Sequence, residues 1–225
     1  DDFRSFIMSV NKRLDDVVKD AIALSWYDVQ ELNPKDAQEP TPKTVVPIVP
    51  VLVGGDDVTV YTDGHYAIPF AEAYIRHYEE LTKDDDLLSV LAIVAGGKKP
   101  DAPERDHFEI GDYIIQNPGP LTASAGVAIV GRNFPFHIAY DLAEGLVSRG
   151  KKLGKKPGTS PCSTIDFHVL RDATVLDPDE TLDEYKGRVQ RPFLVGHYAP
   201  ERIGEAATAS ASGEAPQSQD QWKRV

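Results

Sequence analysis

With Cys162 as its single cysteine, the chain has neither an internal disulfide nor a multi-cysteine zinc site, and a lone thiol of this kind is expected as a small buried apolar group. None of the six histidines falls in an HExxH or comparable cluster, which speaks against a zinc hydrolase. Long apolar runs are missing too. Nothing approaches the roughly 18 to 20 residues of a membrane span, and the acidic, amphipathic N-terminus is unlike a signal peptide. The expectation is a cytoplasmic protein without a membrane partner. Positive charge is scarce: 24 Lys and Arg stand against 36 Asp and Glu, a formal charge of -12. The surface as a whole therefore repels phosphate backbones, and any nucleic-acid contact must be local or supplied by a partner.

What is present is the balance of a soluble globular protein, 41% hydrophobic and 27% charged over 225 residues, enough for one large or two small domains with a substantial core. Apolar residues recur at three-and-four spacing from Phe3 to Trp26, through Phe6, Ile7, Val10, Leu14, Val17, Val18, Ala21 and Ile22, predicting an amphipathic helix. Prolines at 34, 40, 42, 47 and 50 interrupt any helix between Asn33 and Pro50, and Pro47 and Pro50 make the next apolar run an edge strand or an irregular approach. Ala67 to Leu81 reads as a second helix with Phe70, Tyr74, Ile75 and Tyr78 on one face. A short helix is expected over Leu87 to Val94, with the acidic run Asp84 to Asp86 placed favourably for its dipole. Gly96 to His107 reads as a charged loop, Leu121 to Val130 as a buried strand and Phe136 to Leu153 as a helix. STIDFHVL, residues 163 to 170, alternates like a strand, with Asp166 and His168 expected as a polar pair on its exposed face. Arg188 to Val195 could add an edge strand, and the Ala/Ser/Gln/Glu-rich tail from 204 to 225 is expected to be disordered.

The stretch that carries chemistry is VVPIVPVLVGGDDVTVYTD, Val45 to Asp63. Two β-branched runs, with arms at Val51 to Val53 and Val58 to Thr62, flank Gly54-Gly55-Asp56-Asp57, which reads as a β-hairpin whose turn carries two acids. The glycines let a ligand approach the main chain, and two carboxylates at an open tip offer the hard oxygens that suit magnesium together with substrate phosphates. Gly and Asp are also ordinary turn residues, so a bare turn is the competing reading of the tetrad.

Helix, hairpin, helix, strand, helix, strand is a β-α-β-β-α-β unit without its first strand. With GGDD at the hairpin, VLVGGDDVTVYT, TASAGVAIV and STIDFHVL in this order resemble, over roughly residues 1 to 195, the palm of polymerases and diguanylate cyclases. The nearest in motif is the large polymerase/cyclase subunit of type III CRISPR effector complexes. Diguanylate cyclases carry GG(D/E)EF here, whereas Val58 follows Asp57. The resemblance implies an α+β, ferredoxin-like palm with an antiparallel sheet and additional helices over residues 1–203. It also implies a metal-dependent nucleotidyltransferase that joins ATP into cyclic or linear oligoadenylate, in CRISPR-type antiviral defence. The family's first strand, with a further metal-binding aspartate in a D-x-D-like pattern, would lie upstream of Asp1, and its HD nuclease domain, zinc-binding cysteines and other palm are absent from these residues. The chain is therefore read as a fragment, a compact relative or a degenerate scaffold.

The implied roles fall on few residues. Asp56 and Asp57 would hold two Mg2+ or Mn2+ ions, one activating a 3'-hydroxyl and one steadying the departing pyrophosphate. Consecutive strand residues face opposite ways, so Asp56, nearer the turn, ranks first. Gly54 and Gly55 would lie against phosphate or ribose, Ser124 among small neighbours would leave room for a base, and Lys151 or Lys152 would reach the triphosphate. For Ser124 the alternative is close helix-on-sheet packing, and for the lysines it is compensation of a helix C-terminus. The partners implied are ATP, a second palm domain or a homodimer partner, and subunits of an RNA-guided effector complex. A catalytically silent scaffold, an ATP-sensing module and a diguanylate cyclase-like enzyme are the alternatives.

Overall fold

The computed structural model describes residues 2–32, 45–91, 107–110, 113–116, 119–156, 161–170 and 191–199. They form a mixed α+β architecture, with three long helices, a further helical turn and seven strands among the described residues. The chain divides into two compact units, Asp1–Leu121 and Thr122–Val225. The segment 204–225 lies outside the described residues.

In the first unit, α1 (Asp2–Leu32) continues past Trp26 because YDVQEL contains no breaker. Its core stripe is Val17, Val18, Ala21, Ser25 and Val29, all buried, whereas Phe3, at 78% exposure, and also Phe6, Ile7 and Met8 are exposed. The apolar spacing thus forms the helix over its whole length, but among the described residues it is the later turns that pack on a partner. Gln30 ties α1 to the chain entering β1 (Ile48–Gly54): the Val46 amide donates to Gln30 Oε1 at 2.9 Å, while Gln30 Nε2 donates to the Val46 carbonyl at 3.2 Å. Trp26 Nε1 reaches the same carbonyl at 3.3 Å.

Strand β1 pairs antiparallel with β2 (Asp57–Thr62), from Ile48 opposite Thr62 to Gly54 opposite Asp57. The register shifts between Pro50 and Leu52, where Pro50 has no amide to give the ladder. Asp63 caps α2 (Gly64–Asp84) by accepting from the His65 amide at 2.9 Å. Helix α2 packs on α1, and its Phe70 joins Val29 and Val46 in a cluster that includes Ile48 and Val60 of the hairpin. Asp85 caps the next helical turn, residues 88–91, through the Leu87 and Leu88 amides, so the acidic run does act at a helix start. The remainder of the short helix expected to Val94 lies outside the described residues. A second antiparallel hairpin, β3 (His107–Ile110) and β4 (Tyr113–Gln116), occupies a stretch for which the sequence predicts no element.

The second unit is a sheet of order β5-β6-β7, formed by β5 (Ser124–Ile129), β6 (Ser163–Val169) and β7 (Phe193–Val195). It is mixed rather than antiparallel throughout: α3 (Phe136–Gly154) crosses over between β5 and β6, which therefore run parallel, and β7 joins β6 antiparallel. Helix α3 lies close because its sheet contacts are small. A Cβ on Gly126 would stand 2.3 Å from the Ala143 carbonyl oxygen, and one on Gly150 would stand 2.5 Å from Thr164 Oγ1. Leu142 and Leu146 fill the remaining space with Ala128 and Leu170. Cys162 is buried, with its thiol 3.4 Å from the Val195 carbonyl, in keeping with the role expected of it.

Candidate functional site

Two residues, Gly55 and Asp56, make the turn between the last pair of the first hairpin, Gly54 and Asp57. Two-residue hairpin loops whose twist matches the strands need a positive φ at their first position, and Gly55 has φ 60°. Asp56 therefore sits in the turn, while Asp57 is already the first residue of β2. All four residues of the tetrad are exposed. A side chain built on Gly54 or Gly55 would meet nothing within 4 Å, so the main chain of the tip is open to an approaching group.

Beneath the hairpin, α2 carries a ladder of aromatic rings. Phe70 stacks on Tyr74 with centroids 6.5 Å apart, and Tyr74 on Tyr78 at 6.0 Å. Burial and then the negative charge of Asp56 push the Tyr78 phenol up to about 12, so it is a neutral hydroxyl in the neutral range. Tyr78 thus feels the charge of the tip, although helical spacing assigns it only to the apolar face of its helix. Nothing local signals it, because 22 positions separate it from Asp56.

Ser124, Lys151 and Lys152 belong to the second unit. Helix α3 runs back along β5, so Gly150 stands over Ser124, with its ideal Cβ 3.6 Å from the Ser124 Cβ, and the two lysines follow at the same end. The Ser124 hydroxyl accepts from Thr164 Oγ1 at 3.0 Å. That places it in the seam between helix and sheet, the packing alternative for this residue. Lys151 and Lys152 are exposed in the last turn of α3, where cations favour the dipole.

The pair expected on an exposed strand face is a correction. Asp166 is 0% exposed and His168 5%, because β6 is the middle strand of its sheet and carries α3 against it. Alternation separates the two faces of a strand but does not say which one is covered.

The donor set at the tip fits a small hard cation. Two exposed carboxylates beside open main chain can hold magnesium or manganese, which keeps waters and takes phosphate oxygens to complete its shell. Among the described residues, no three His, Cys, Asp or Glu side chains gather into a cage. No helix among them is long and apolar enough to cross a membrane. The chain matches no family model and no curated protein.

Proposed function

We propose that the hairpin tip is the catalytic edge of a metal-dependent nucleotidyltransferase palm that joins ATP into cyclic or linear oligoadenylate, as the resemblance to the CRISPR-type polymerase/cyclase implies. The observation that carries the reading is the placement of Asp56 and Asp57 at an exposed two-residue hairpin turn with unobstructed glycine main chain beside them. Asp56 and Asp57 would hold Mg2+ or Mn2+, which when bound supplies neutralisation of the phosphate charge that builds up during transfer. Gly54 and Gly55 let a triphosphate come within hydrogen-bonding distance of backbone amides, an approach that any β-carbon would crowd. The Tyr78 hydroxyl, raised to about 12, stays neutral and so adds no negative charge to the field at Asp56. Ser124, Lys151 and Lys152, in the second unit, are a separate candidate set, with the lysines as point charges for phosphate.

A single tip presents one nucleotide, so joining two requires a second tip from another domain, a second copy or a subunit of an effector complex. The test is release of pyrophosphate from ATP with Mg2+ or Mn2+ by the full-length protein, with and without candidate activating RNA. Nucleotide binding without turnover would instead support a sensing module, and neither binding nor turnover a silent scaffold.

A further inference from the structure

The hairpin that carries the tip has an outer face as well as a core face. Ile48 and Val60 pack on the cluster of Val29, Val46 and Phe70, so alternation puts their neighbours Val49, Thr59 and Tyr61 on the opposite side. Cross-strand partners share a face: Val49 lies beside Tyr61 there, Leu52 beside Thr59, and Gly54 beside Asp57 at the tip. An antiparallel sheet with one face on its core normally turns polar side chains outward. Here Val49 is 54% exposed, Tyr61 51% and Leu52 46%, and Val51 at the register shift is 50% exposed. The outer face is therefore apolar and leads directly to the GGDD tetrad.

The size of this face limits what covers it. A stable protein interface takes about 20–30 residues a side, whereas Val49, Val51, Leu52 and Tyr61 on two strands match the scale of a single flat ring system. Its distance from the tip fits such a ligand. At about 3.4 Å per residue, Thr59 and Tyr61 stand about 7 and 14 Å along β2 from Asp57. A nucleoside triphosphate lying along the strand with its phosphates at the tip carries its base over that span. An aromatic ring on an open sheet face is a stacking platform for a base. We propose that the outer face of the hairpin is a base subsite: the purine of the nucleotide stacks on the Tyr61 ring and rests on Leu52 and Val49, with the Thr59 hydroxyl beside it. This placement rests on the proposed function, in which the tip holds metal and phosphates.

Calorimetric titration of the full-length protein with ATP and with inorganic tripolyphosphate, both in Mg2+, tests the subsite. Tyr61→Thr and Leu52→Thr, which keep strand preference, should each weaken ATP binding by about tenfold or more and leave tripolyphosphate binding unchanged. Tyr61→Phe, which keeps the ring, should bind ATP like the wild type. Wild-type ATP affinity in both threonine variants overturns the subsite, and so does an equal loss for the two ligands, since that is damage to the hairpin. The reading of the tip fails separately: if the variant with Asp56→Asn and Asp57→Asn binds both ligands like the wild type, the phosphates are not held there. A wild type that binds neither ligand removes the tip and the subsite together.

Discussion

Gly55 and Gly54 are neighbours with different reasons to be glycine. At φ 60° a side chain on Gly55 is strained whatever the space around it, so Gly55→Ala should lower stability by about 1–2 kcal/mol. Gly54 has no such angle and no obstruction, so Gly54→Ala should stay within about 0.5 kcal/mol of wild type in urea denaturation. If phosphate lies against the main chain, Gly54→Ala should still weaken ATP binding. Asp85 and Asp166 show opposite pH behaviour. Burial alone would raise Asp85, but the Leu88 and Leu87 amides and the Arg13 guanidinium outweigh it and hold the carboxyl below its ordinary 3.8. The contribution of Asp85 is complete above that unfolded value and is lost as pH falls through the lower folded one. Asp85→Asn should therefore lower the urea midpoint at pH 7 and flatten its fall below about pH 4. For Asp166, burial dominates the opposing Arg149 and Arg191 charges and raises the pKa, so its ionisation costs stability at neutral pH, and that cost is relieved as pH falls through the folded value.

The elements follow the sequence where one local signal decides and depart from it where a distant partner does. Val17, Val18, Ala21, Ser25 and Val29 mark the buried stripe of α1 by spacing alone, yet the same periodicity in Phe3 and Phe6 faces solvent, because spacing does not reveal whether a partner lies alongside. The GGDD hairpin was legible from turn chemistry between β-branched arms. The β3–β4 hairpin was not, although HFEI and YIIQ flank Gly111-Asp112, because its four-residue arms are too short for alternation to stand out. At the site, the tip was legible, but the bond between Ser124 and Thr164 joins residues 40 apart and leaves no local trace. Two substitutions test how the elements are joined. Gly126→Ala would drive a methyl to 2.3 Å from the Ala143 backbone, so α3 must lift from the sheet, at a cost of about 1–3 kcal/mol by thermal or urea denaturation. Gln30→Ala leaves the buried Val46 amide unpaired and should cost about 1–3 kcal/mol, with faster hydrogen exchange in β1.

For the molecule as a whole, the formal charge of -12 works against an anionic substrate. A cation held at the tip reverses that sign locally, so ATP affinity should depend on Mg2+ or Mn2+ rather than fall uniformly with added salt. On the proposed reading a second tip comes from another domain, a second copy or an effector subunit; where it is a second copy, light scattering in the presence of ATP and metal should show the assembly. The central claim is that Asp56 and Asp57 act in phosphoryl transfer, and pyrophosphate release from ATP by the full-length protein tests it most directly. Replacing both residues by Asn keeps size and turn preference while removing the charge that would hold the cations. The account predicts a folded double variant within about 0.5 kcal/mol of wild type whose pyrophosphate release falls at least about a hundredfold. Equal release by wild type and double variant, or none from the wild type with its partners, metal and activating RNA supplied, would contradict it.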